Sequence, residues 1–381
     1  MTMPRTIIDI HVLQTVPPSN INRDDTGSPK TASYGGVRRA RVSSQAWKRA
    51  IRKHMAGTAE ALATGVRSKR VVELLGEEIR KQSDSTSQDA SHELAKAVLT
   101  AGGITVKPPR KGKLDESGYL LFLSAQQVES LAAYALTAGE DLVKKDIQAL
   151  IKNKNSIDLA MFGRMVADVA DLNVDASVQV AHALSVHAVE NEFDYFTAVD
   201  DHKENDDEED AGAGMIGTIE FNSSTLYRYA TIDADLLARN LGEDAPVGEA
   251  VGAFLRSFVR SIPSGKKNTF ANGTLPDAIV VAVRQDQSIS YVGAFETPVQ
   301  TAAGSGRVTA AVEALARYAK DVADAYNADP DKVWVTAVGA KGAALDQLGD
   351  RVSLGELVDQ VITTVSDRTG AAVPTPAGQT A

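Results

Sequence analysis

The chain has 381 residues, of which 43% are hydrophobic, and it can bury one large core or two to three smaller ones. Fifty acidic against 40 basic residues give a formal charge of −10, which argues against a uniformly basic nucleic-acid binder. No run of 18 apolar residues and no N-terminal apolar signal core occurs, which excludes a membrane span. Cysteine is absent, which excludes disulfides and thiolate sites. These features predict a cytoplasmic protein.

The first elements follow from residue patterning. The β-branched, alternating residues 5–13 predict a strand, and the Pro-, Ser-, Asn- and Gly-containing residues 17–36 predict a long loop. A helix is predicted from Ser43 to about Met55, with Ser43 or Ser44 as its N-cap and an apolar stripe that includes Trp47.

The remainder predicts a helical insertion followed by mixed elements. From about residue 57 to 183 the chain is rich in helix formers, with periodic stretches at Val71–Gln82 and Ala125–Ala138. Strands are then predicted at 218–221, 225–232, 277–284 and 332–338, and helices at 246–262, 308–326 and 354–365. This order predicts an α+β fold that carries an inserted helical domain, and a disordered tail over residues 367–381.

Residues 26–59 contain no acid at all in this acidic chain, and they are the strongest candidate for a phosphate-binding surface. Basic side chains combine there with donors at a helix N-terminus, which is a pattern typical of phosphate binding. The candidate residues of this window are Arg38, Arg39, Arg41, Ser43, Ser44, Gln45, Lys48, Arg49 and Arg52. The glycine pair Gly35–Gly36 permits close approach of another group just upstream. A solvated basic helix face remains the alternative.

Two further segments are candidates for contact with single-stranded nucleic acid. Lys266 and Lys267 precede Phe270 in a loop that suits backbone contact and base stacking, although lysines at a helix end are an equal alternative. The segments 195–197 and 215–217 are apolar and flank an acidic run at 200–210. They predict the two arms of a projecting hairpin whose apolar residues pack on a partner or wedge between bases. The acidic run lacks EF-hand spacing, so no metal site is predicted.

No catalytic motif is present. The six histidines form no HExxH pattern, and GxSxG, Walker A and strand-linked GxGxxG motifs are absent. Only Asp24 and Asp25 lie as adjacent carboxylates near the basic window, where turn chemistry explains them as well as RNA cleavage does. The sequence predicts no catalytic residue and no cofactor.

Several blocks in a fixed order resemble the CasC family, the guide-RNA-binding backbone subunit of the type I-E CRISPR surveillance complex Cascade. The resemblance covers about residues 5–285, and nothing after about residue 284 carries a matching motif. The blocks are Asn22-Arg23-Asp24-Asp25, the stretch from Gly35 to Gln45, Lys48-Arg49-Ala50, Gly163-Arg164-Met165, residues 196–201, Gly217-Thr218 with Glu220-Phe221, and residues 227–230.

The resemblance implies a hand-shaped subunit with a ferredoxin-like, RRM-related palm. Its first part corresponds to residues 1–58 and its second part to 183–366, with helical fingers at 59–182 and a β-hairpin thumb at 194–221. Its thumb tip is more acidic than the family pattern, and the role of that tip stays open. Basic fingers segments at 67–70, 110–113 and 144–145 are candidates for contact with target DNA.

The resemblance also implies individual roles. Arg23, Lys30, Ser43, Gln45, Lys48 and Arg52 match positions that hold guide phosphates, and Met165, next to Arg164, matches a wedge at a base kink. Tyr195, Phe196, Thr197, Val199 and Ile216 match thumb residues that intercalate where a base flips out. Implied partners are CRISPR guide RNA, target DNA paired to it, further copies in a helical filament, other Cascade subunits and a recruited helicase-nuclease.

Three functions are compatible with these residues. The first is a non-catalytic scaffold that polymerises along the guide and presents segmented bases to target DNA. The second is an RNA-cleaving backbone subunit with Asp24 or Asp25 as catalyst. The third is a protein–protein adaptor whose basic helix binds an acidic partner.

Overall fold

The computed structural model describes residues 5–58, 64–108, 115–139, 141–198, 215–243, 245–302 and 306–370. The first part contains β1 (Ile7–Ser19), β2 (Thr31–Tyr34), β3 (Val37–Val42) and α1 (Ser44–Ala56). The insertion contains β4 (Val66–Ser68), α2 (Val71–Gln82), α3 (Gln88–Ala101), β5 (Val106–Lys107), β6 (Glu116–Ser117), β7 (Leu121–Leu123), α4 (Ala125–Ala138), α5 (Lys144–Lys152) and α6 (Ile157–Phe162).

The rest of the chain returns to strands and helices. Its strands are β8 (Val178–Val180), β9 (Ala183–Ser185), β10 (Glu192–Ala198), β11 (Met215–Asp233), β12 (Ala278–Arg284), β13 (Lys332–Ala337) and β14 (Asp350–Arg351). Its helices are α7 (Ala234–Leu241), α8 (Val247–Arg260), α9 (Lys267–Phe270), α10 (Val308–Tyr326) and α11 (Leu354–Thr369). Within the described ranges, no helix combines the length and the apolar character that crossing a membrane requires.

One mostly antiparallel sheet organises the chain around β1. Among the described residues it has ten strands in the order β14-β13-β12-β1-β11-β9-β3-β2, with β8 and β10 also paired to β11. β1 pairs with β11 from Ile7↔Asp233 to Ser19↔Asn222, and with β12 on its other side. The first strand therefore lies at the centre of the sheet.

Alternation along β1 separates two cores. Ile8, Ile10 and Val12 pack into the core under α1, α8 and α11, whereas Leu13 packs into the core under α10. A strand points successive side chains to opposite faces, so both faces of this sheet are covered. The basic helix α1 and the helix α10 consequently lie on opposite sides of it.

The insertion builds a core of its own. Apolar side chains of α2, α3, α4 and α5 enclose it, and they include Leu75, Val98, Leu131 and Ile147. The predicted helices Val71–Gln82 and Ala125–Ala138 are confirmed at both ends. Ser124 explains one of these boundaries because it forms a capping box with Gln127 at the start of α4.

Three boundaries predicted from the sequence are wrong. The loop at 17–36 is shorter, because β1 continues to Ser19 and β2 begins at Thr31. The strands predicted at 218–221 and 225–232 are one strand, because the polar residues between them continue the ladder with β1 and β10. The tail was predicted to begin at residue 367, but α11 extends to Thr369, and residues 371–381 lie outside the described residues.

His11 gives a prediction for the pH dependence of stability. It is buried beside Tyr227 and stacks on Tyr291, and burial first and then Arg284 lower its pKa to about 3. An unfolded histidine titrates near pH 6.5, so below that pH the unfolded chain takes up a proton that the folded chain refuses. Stability should fall by up to about 1.4 kcal/mol per pH unit from this group alone as pH drops through this window.

His11→Phe removes the titration and retains the stacking. Urea denaturation at pH 7.5, 6 and 5 should therefore show that the variant is less stable than the wild-type chain at pH 7.5. The difference between their free energies of unfolding should narrow as the pH falls. A gap that is constant across the three pH values would contradict the buried neutral state of His11.

Candidate nucleic-acid interface

Helix α1 presents a basic surface because its opposite face is anchored in the core. Ser43 caps it by accepting a hydrogen bond from the backbone N–H of Ala46, which confirms the predicted start. Trp47, Ile51 and Met55 are buried at intervals of four residues. This anchoring leaves Gln45 and Arg49 exposed and Lys48 and Arg52 half-buried on the rest of the helix.

A cleft of about 790 Å³ separates α1 from the insertion, and we call it the α1–fingers cleft. It brings together residues that are far apart in the sequence. Its lining comprises Gln45, Lys48, Arg49, Arg52, Arg67, Leu120, Phe122, residues 162–165 and residues 173–176. Asp175 is the one carboxylate among these residues. Positive charge therefore dominates the walls of the cleft.

Met165 gives the cleft an apolar side chain that faces solvent. It is 81% exposed, although the general expectation for a methionine at a helix end was burial in a core. Phe162 and Leu120 line the cleft with it. Exposed apolar side chains can contact bases, and cations next to them can bind the sugar–phosphate backbone.

The cations of the cleft differ in what they already bind. Among the described residues, neither Lys48 nor Arg49 forms an ion pair, and burial alone lowers the pKa of Lys48. Arg52 instead pairs with Asp158 at 2.9 Å and lies over the Phe122 ring at 4.4 Å. Among the α1 cations that line the cleft, Lys48 and Arg49 are thus the two without a carboxylate partner among the described residues.

The loop between β1 and β2, residues 20–30, is joined directly to the start of α1. Asn22 accepts a hydrogen bond from the backbone N–H of Ser43 at 2.8 Å, and its own carbonyl accepts one from the N–H of Lys30. Arg23 is exposed in this loop. The loop therefore continues the basic surface past the N-terminus of α1.

Asp24 holds the shape of this loop. Its carboxylate accepts hydrogen bonds from the Thr26 N–H, the Thr26 hydroxyl and the Ser28 N–H. These bonds, led by that from the Thr26 hydroxyl, lower the pKa of Asp24. The Oδ1 atom of Asp24 thus holds the turn, and both Asp24 and Asp25 are exposed.

Lys30 and Arg41 converge on His182. Arg41 lies 3.2 Å from the His182 ring nitrogen Nδ1, and burial followed by the charges of Arg41 and Lys30 lowers the pKa of His182. Lys30 and Arg41 also line one small pocket beside Asn22. A neutral His182 allows these two cations to share one surface at physiological pH.

The Lys266–Lys267 loop packs against the β1–β2 loop. A side chain at Gly265 would meet the carbonyl oxygen of Ile21 at 2.4 Å, so only glycine fits at this contact. Lys266 has a φ of 50°, Lys267 is exposed, and Phe270 lies 5.7 Å from Phe221. The loop therefore lies between Arg23 and the base of the hairpin.

The predicted projecting hairpin is formed by β10 and β11. Tyr195 pairs with Thr218 and Thr197 with Ile216, so these four side chains share one face, which also carries Phe193. Phe193, Tyr195 and Ile216 are between 61% and 67% exposed. Phe196 lies on the other face, against Gly217. Val199 and the acidic run at 200–210 lie outside the described residues.

Arg39 and Arg164 are predicted to bind RNA, but both are buried in the structure and their guanidinium groups are bonded to backbone carbonyls. Arg39 is fully buried and donates to the carbonyls of Tyr34, Ser185, Phe295 and Glu296. Arg164 is 4% exposed and donates to the carbonyls of Leu172, Phe122 and Ile151, and burial lowers its pKa to about 10. Both guanidinium groups hold chain segments together, and neither is free for a phosphate.

The remaining members of the predicted set lie apart from the cleft. Arg38 is exposed on β3, and Ser44 is half-buried at the start of α1. The glycine pair forms the β2–β3 turn, and an added side chain at Gly35 would meet the Glu296 carbonyl oxygen at 1.7 Å. The close approach predicted at Gly35 is therefore made by the chain itself.

Sequence reasoning missed three kinds of contributor. Leu120 and Phe122, just before and within the short strand β7, reach the cleft only through folding, whereas Arg67 beside them belongs to the basic segment 67–70 that was assigned to target DNA. Phe193 could have been found from its period-two spacing to Tyr195 and Thr197. Asn20 ties the interface together because it donates to the carbonyls of Gly27 and Glu220, and no local pattern indicates this role.

An extended basic surface with exposed apolar side chains, built on an antiparallel sheet, is a combination typical of single-stranded nucleic-acid binding. The family model described as "CT1975-like protein" matches residues 8–360. The chain therefore belongs to the CT1975-like protein family. A comparison with curated proteins gave no match.

Solved structures are similar over nearly the whole chain. A chain of a "CRISPR RNA-guided surveillance complex, pre-nicking" is 35% identical with a TM-score of 0.84, and the match covers 94% of this chain and all of that one. A chain of a "CRISPR RNA-guided surveillance complex" is 30% identical with a TM-score of 0.75, over 94% of this chain and 99% of that one.

Proposed function

We propose that this chain is a guide-RNA-binding backbone subunit of a CRISPR surveillance complex, of the type I-E CasC kind. Copies of it polymerise along the guide RNA in a helical filament and hold the sugar–phosphate backbone without reading sequence. Target DNA pairs with the outward-facing bases, other Cascade subunits complete the complex, and a recruited helicase-nuclease cuts the DNA. We place this function in the cytoplasm.

The observation that carries the proposal is the continuous surface from the α1–fingers cleft to the hairpin. Lys48 and Arg49 lead to Arg23 through the Asn22–Ser43 hydrogen bond. The Asn20 amide then joins that loop to the hairpin base at Glu220. The similarity to chains of RNA-guided surveillance complexes supports RNA as the ligand of this surface.

The topology supports a ferredoxin-like palm. Strands β12, β1, β11 and β9 are adjacent in that order, and all three pairings are antiparallel. With α1 between β1 and β9, and α8 between β11 and β12, this is the arrangement of a βαββαβ unit with the insertion in its first crossover.

The geometry of Asp24 supports a scaffold rather than a nuclease. One of its carboxylate oxygens, Oδ1, accepts all three hydrogen bonds from Thr26 and Ser28, so this oxygen serves the turn of the loop. Incubation of the purified chain with end-labelled RNA and Mg²⁺ should leave the RNA bound and intact. Cleavage that disappears in Asp24→Ala or Asp25→Ala would instead establish the RNA-cleaving alternative.

The hairpin face gives a separate prediction. Tyr195→Ser should weaken binding of single-stranded RNA about tenfold, because stacking contributes about 1–3 kcal/mol per base. The salt dependence should not change, since no charge is removed. Thermal stability should change by less than about 0.5 kcal/mol, because Tyr195 is 63% exposed.

Asp194→Ser is the matched control for this variant. Asp194 is exposed and lies next to Tyr195 on the opposite face of β10, so its replacement should leave binding equal or slightly tighter. Fluorescence anisotropy with a labelled RNA measures both variants. Equal losses for Tyr195→Ser and Asp194→Ser would contradict base contact by the Tyr195 face.

A further inference from the structure

Arg52 lies at the junction of the palm helix α1 with both crossings into the insertion. Its Nε atom is 3.0 Å and its Nη2 atom 2.9 Å from the same carboxylate oxygen of Asp158, at the exit crossing. Its Nη2 atom also donates to the carbonyl of Gly65, at the entry crossing, at 3.3 Å. One guanidinium thus contacts both ends of the insertion.

Asp158 completes this junction. Only 1% of its side chain is exposed, and its other carboxylate oxygen accepts hydrogen bonds from the Gly65 N–H and the Ser156 hydroxyl, each at 2.8 Å. A buried carboxylate with its partners in place is costly to disturb, because removal of one partner leaves an uncompensated charge.

The surroundings of the junction leave little room for adjustment. The Arg52 guanidinium lies over Phe122, a cleft-lining residue on β7, at 4.4 Å. A side chain at Gly65 would approach the Leu123 carbonyl, the Ser156 hydroxyl and the Phe122 ring within 2.8 Å. Two residues beyond Gly65, Arg67 enters the cleft wall. The junction therefore sets the distance between the two walls of the cleft.

We infer that Arg52 and Asp158 form a clasp that positions the insertion over α1, and that Arg52 serves RNA binding through this geometry rather than by contact with a phosphate. The inference rests on the proposed RNA-binding function. If Arg52 contacted a phosphate, replacing its buried partner Asp158 would raise the RNA affinity. If Arg52 positions the insertion, the same replacement lowers the RNA affinity, so the two roles can be told apart.

The direction in which Asp158→Asn changes the RNA affinity distinguishes the two roles of Arg52. The change removes a negative charge beside a basic cleft, so electrostatics alone would tighten RNA binding. The clasp predicts the reverse, a loss of about tenfold, because the amide cannot replace the charge-assisted pair with Arg52. Arg52→Lys should lose a similar factor although it keeps the charge, since an ammonium lacks the fork that reaches Asp158 and Gly65 together.

The experiment measures the affinity of the full chain for single-stranded RNA over a series of salt concentrations. Asp158→Asn, Arg52→Lys and the double variant should lose about the same factor, so that the two losses are not additive. None of them should change the slope of log K against log salt. Arg49→Gln, on the same helix, should lower the slope by about 0.7, the contribution of one phosphate contact on a single strand.

The outcomes separate the clasp from the proposed function. RNA binding by Asp158→Asn that equals or exceeds that of the wild-type chain would overturn the clasp. A further variant, Arg52→Gln, should keep the wild-type slope, and a slope lowered by about 0.7 would make Arg52 a phosphate contact. Failure of the wild-type chain to bind RNA would refute the proposed function itself. Circular dichroism and a thermal melt of each variant establish that the chain is folded, and Arg52→Lys, the milder change, tests the clasp should Asp158→Asn unfold.

Discussion

Replacing Lys48 and Arg49 together by glutamine should weaken the binding of single-stranded RNA roughly a hundredfold, with the same loss for every RNA sequence. The two side chains line the α1–fingers cleft, and neither is paired with a carboxylate among the described residues. A charge-assisted hydrogen bond to a phosphate contributes about 1.5–3 kcal/mol, about a factor of ten or more per contact. The slope of log K against log salt should fall by about 1.4.

The chain offers a matched control on the other side of the sheet. Arg317 and Lys320 are exposed on α10, which packs on the face opposite α1. Their replacement by glutamine removes the same charge and should leave the RNA affinity within about a factor of two at moderate salt, where distant charges are screened. Equal losses in the two double variants would mean that net charge, not the cleft, governs binding.

Arg228→Ala should lower the free energy of unfolding by about 3–5 kcal/mol, the largest stability effect that we expect from a single substitution. Arg228 is 1% exposed, and its guanidinium lies between the rings of Trp47 at 3.8 Å and Phe258 at 4.4 Å. It also donates to the Gln14 amide oxygen and the Phe258 carbonyl. Alanine would leave a cavity under α1 and orphan both acceptors.

Arg228→Met separates the stability cost of the cavity from the cost of losing the guanidinium charge. Burial lowers the pKa of Arg228 to about 9, so it is still charged at neutral pH, and a thioether fills most of its volume without that cost. We expect a smaller loss in urea denaturation for methionine than for alanine, because methionine also leaves both acceptors without a donor but keeps most of the packing. A loss below about 1 kcal/mol for alanine would contradict the anchoring of α1 by Arg228.

Elements with strong local signals were predictable from the sequence. The helix at α1 follows from Ser43 and the spacing of Trp47 and Ile51, and α10 was predicted with its observed bounds. The boundaries that failed depend on partners distant in the chain. β1 extends to Ser19 and β11 is continuous because the two strands pair with each other in the sheet. They lie far apart in the sequence, so no local sequence pattern contains this pairing.

The candidate site was predictable where its functional residues are close together in the sequence. Lys48 and Arg49 are adjacent in an acid-free window, and the structure places both on the cleft. Arg39 belongs to the same window, but its burial follows from the approach of Glu296, more than 250 residues away. Arg52 likewise pairs with the carboxylate of Asp158, which lies 106 residues further along the chain. Charge patterns indicate where a surface is basic, whereas tertiary contacts decide which cations are free.

The net charge of −10 is compatible with this surface because the charge is segregated. The acid-free window at 26–59 lies near the N-terminus, and eight carboxylates lie in residues 200–210. We expect the acidic surplus to keep the exterior from binding nucleic acid indiscriminately.

The central claim, that this chain holds RNA, is tested most directly by purification from cells at moderate salt, followed by the 260/280 nm absorbance ratio and sizing of any bound nucleic acid. We predict ribonuclease-sensitive, deoxyribonuclease-resistant material with the wild-type chain and with the Arg317/Lys320 control, and its loss from the Lys48/Arg49 variant. A wild-type chain that purifies free of nucleic acid, or together with an acidic protein, would contradict the account and favour the adaptor function.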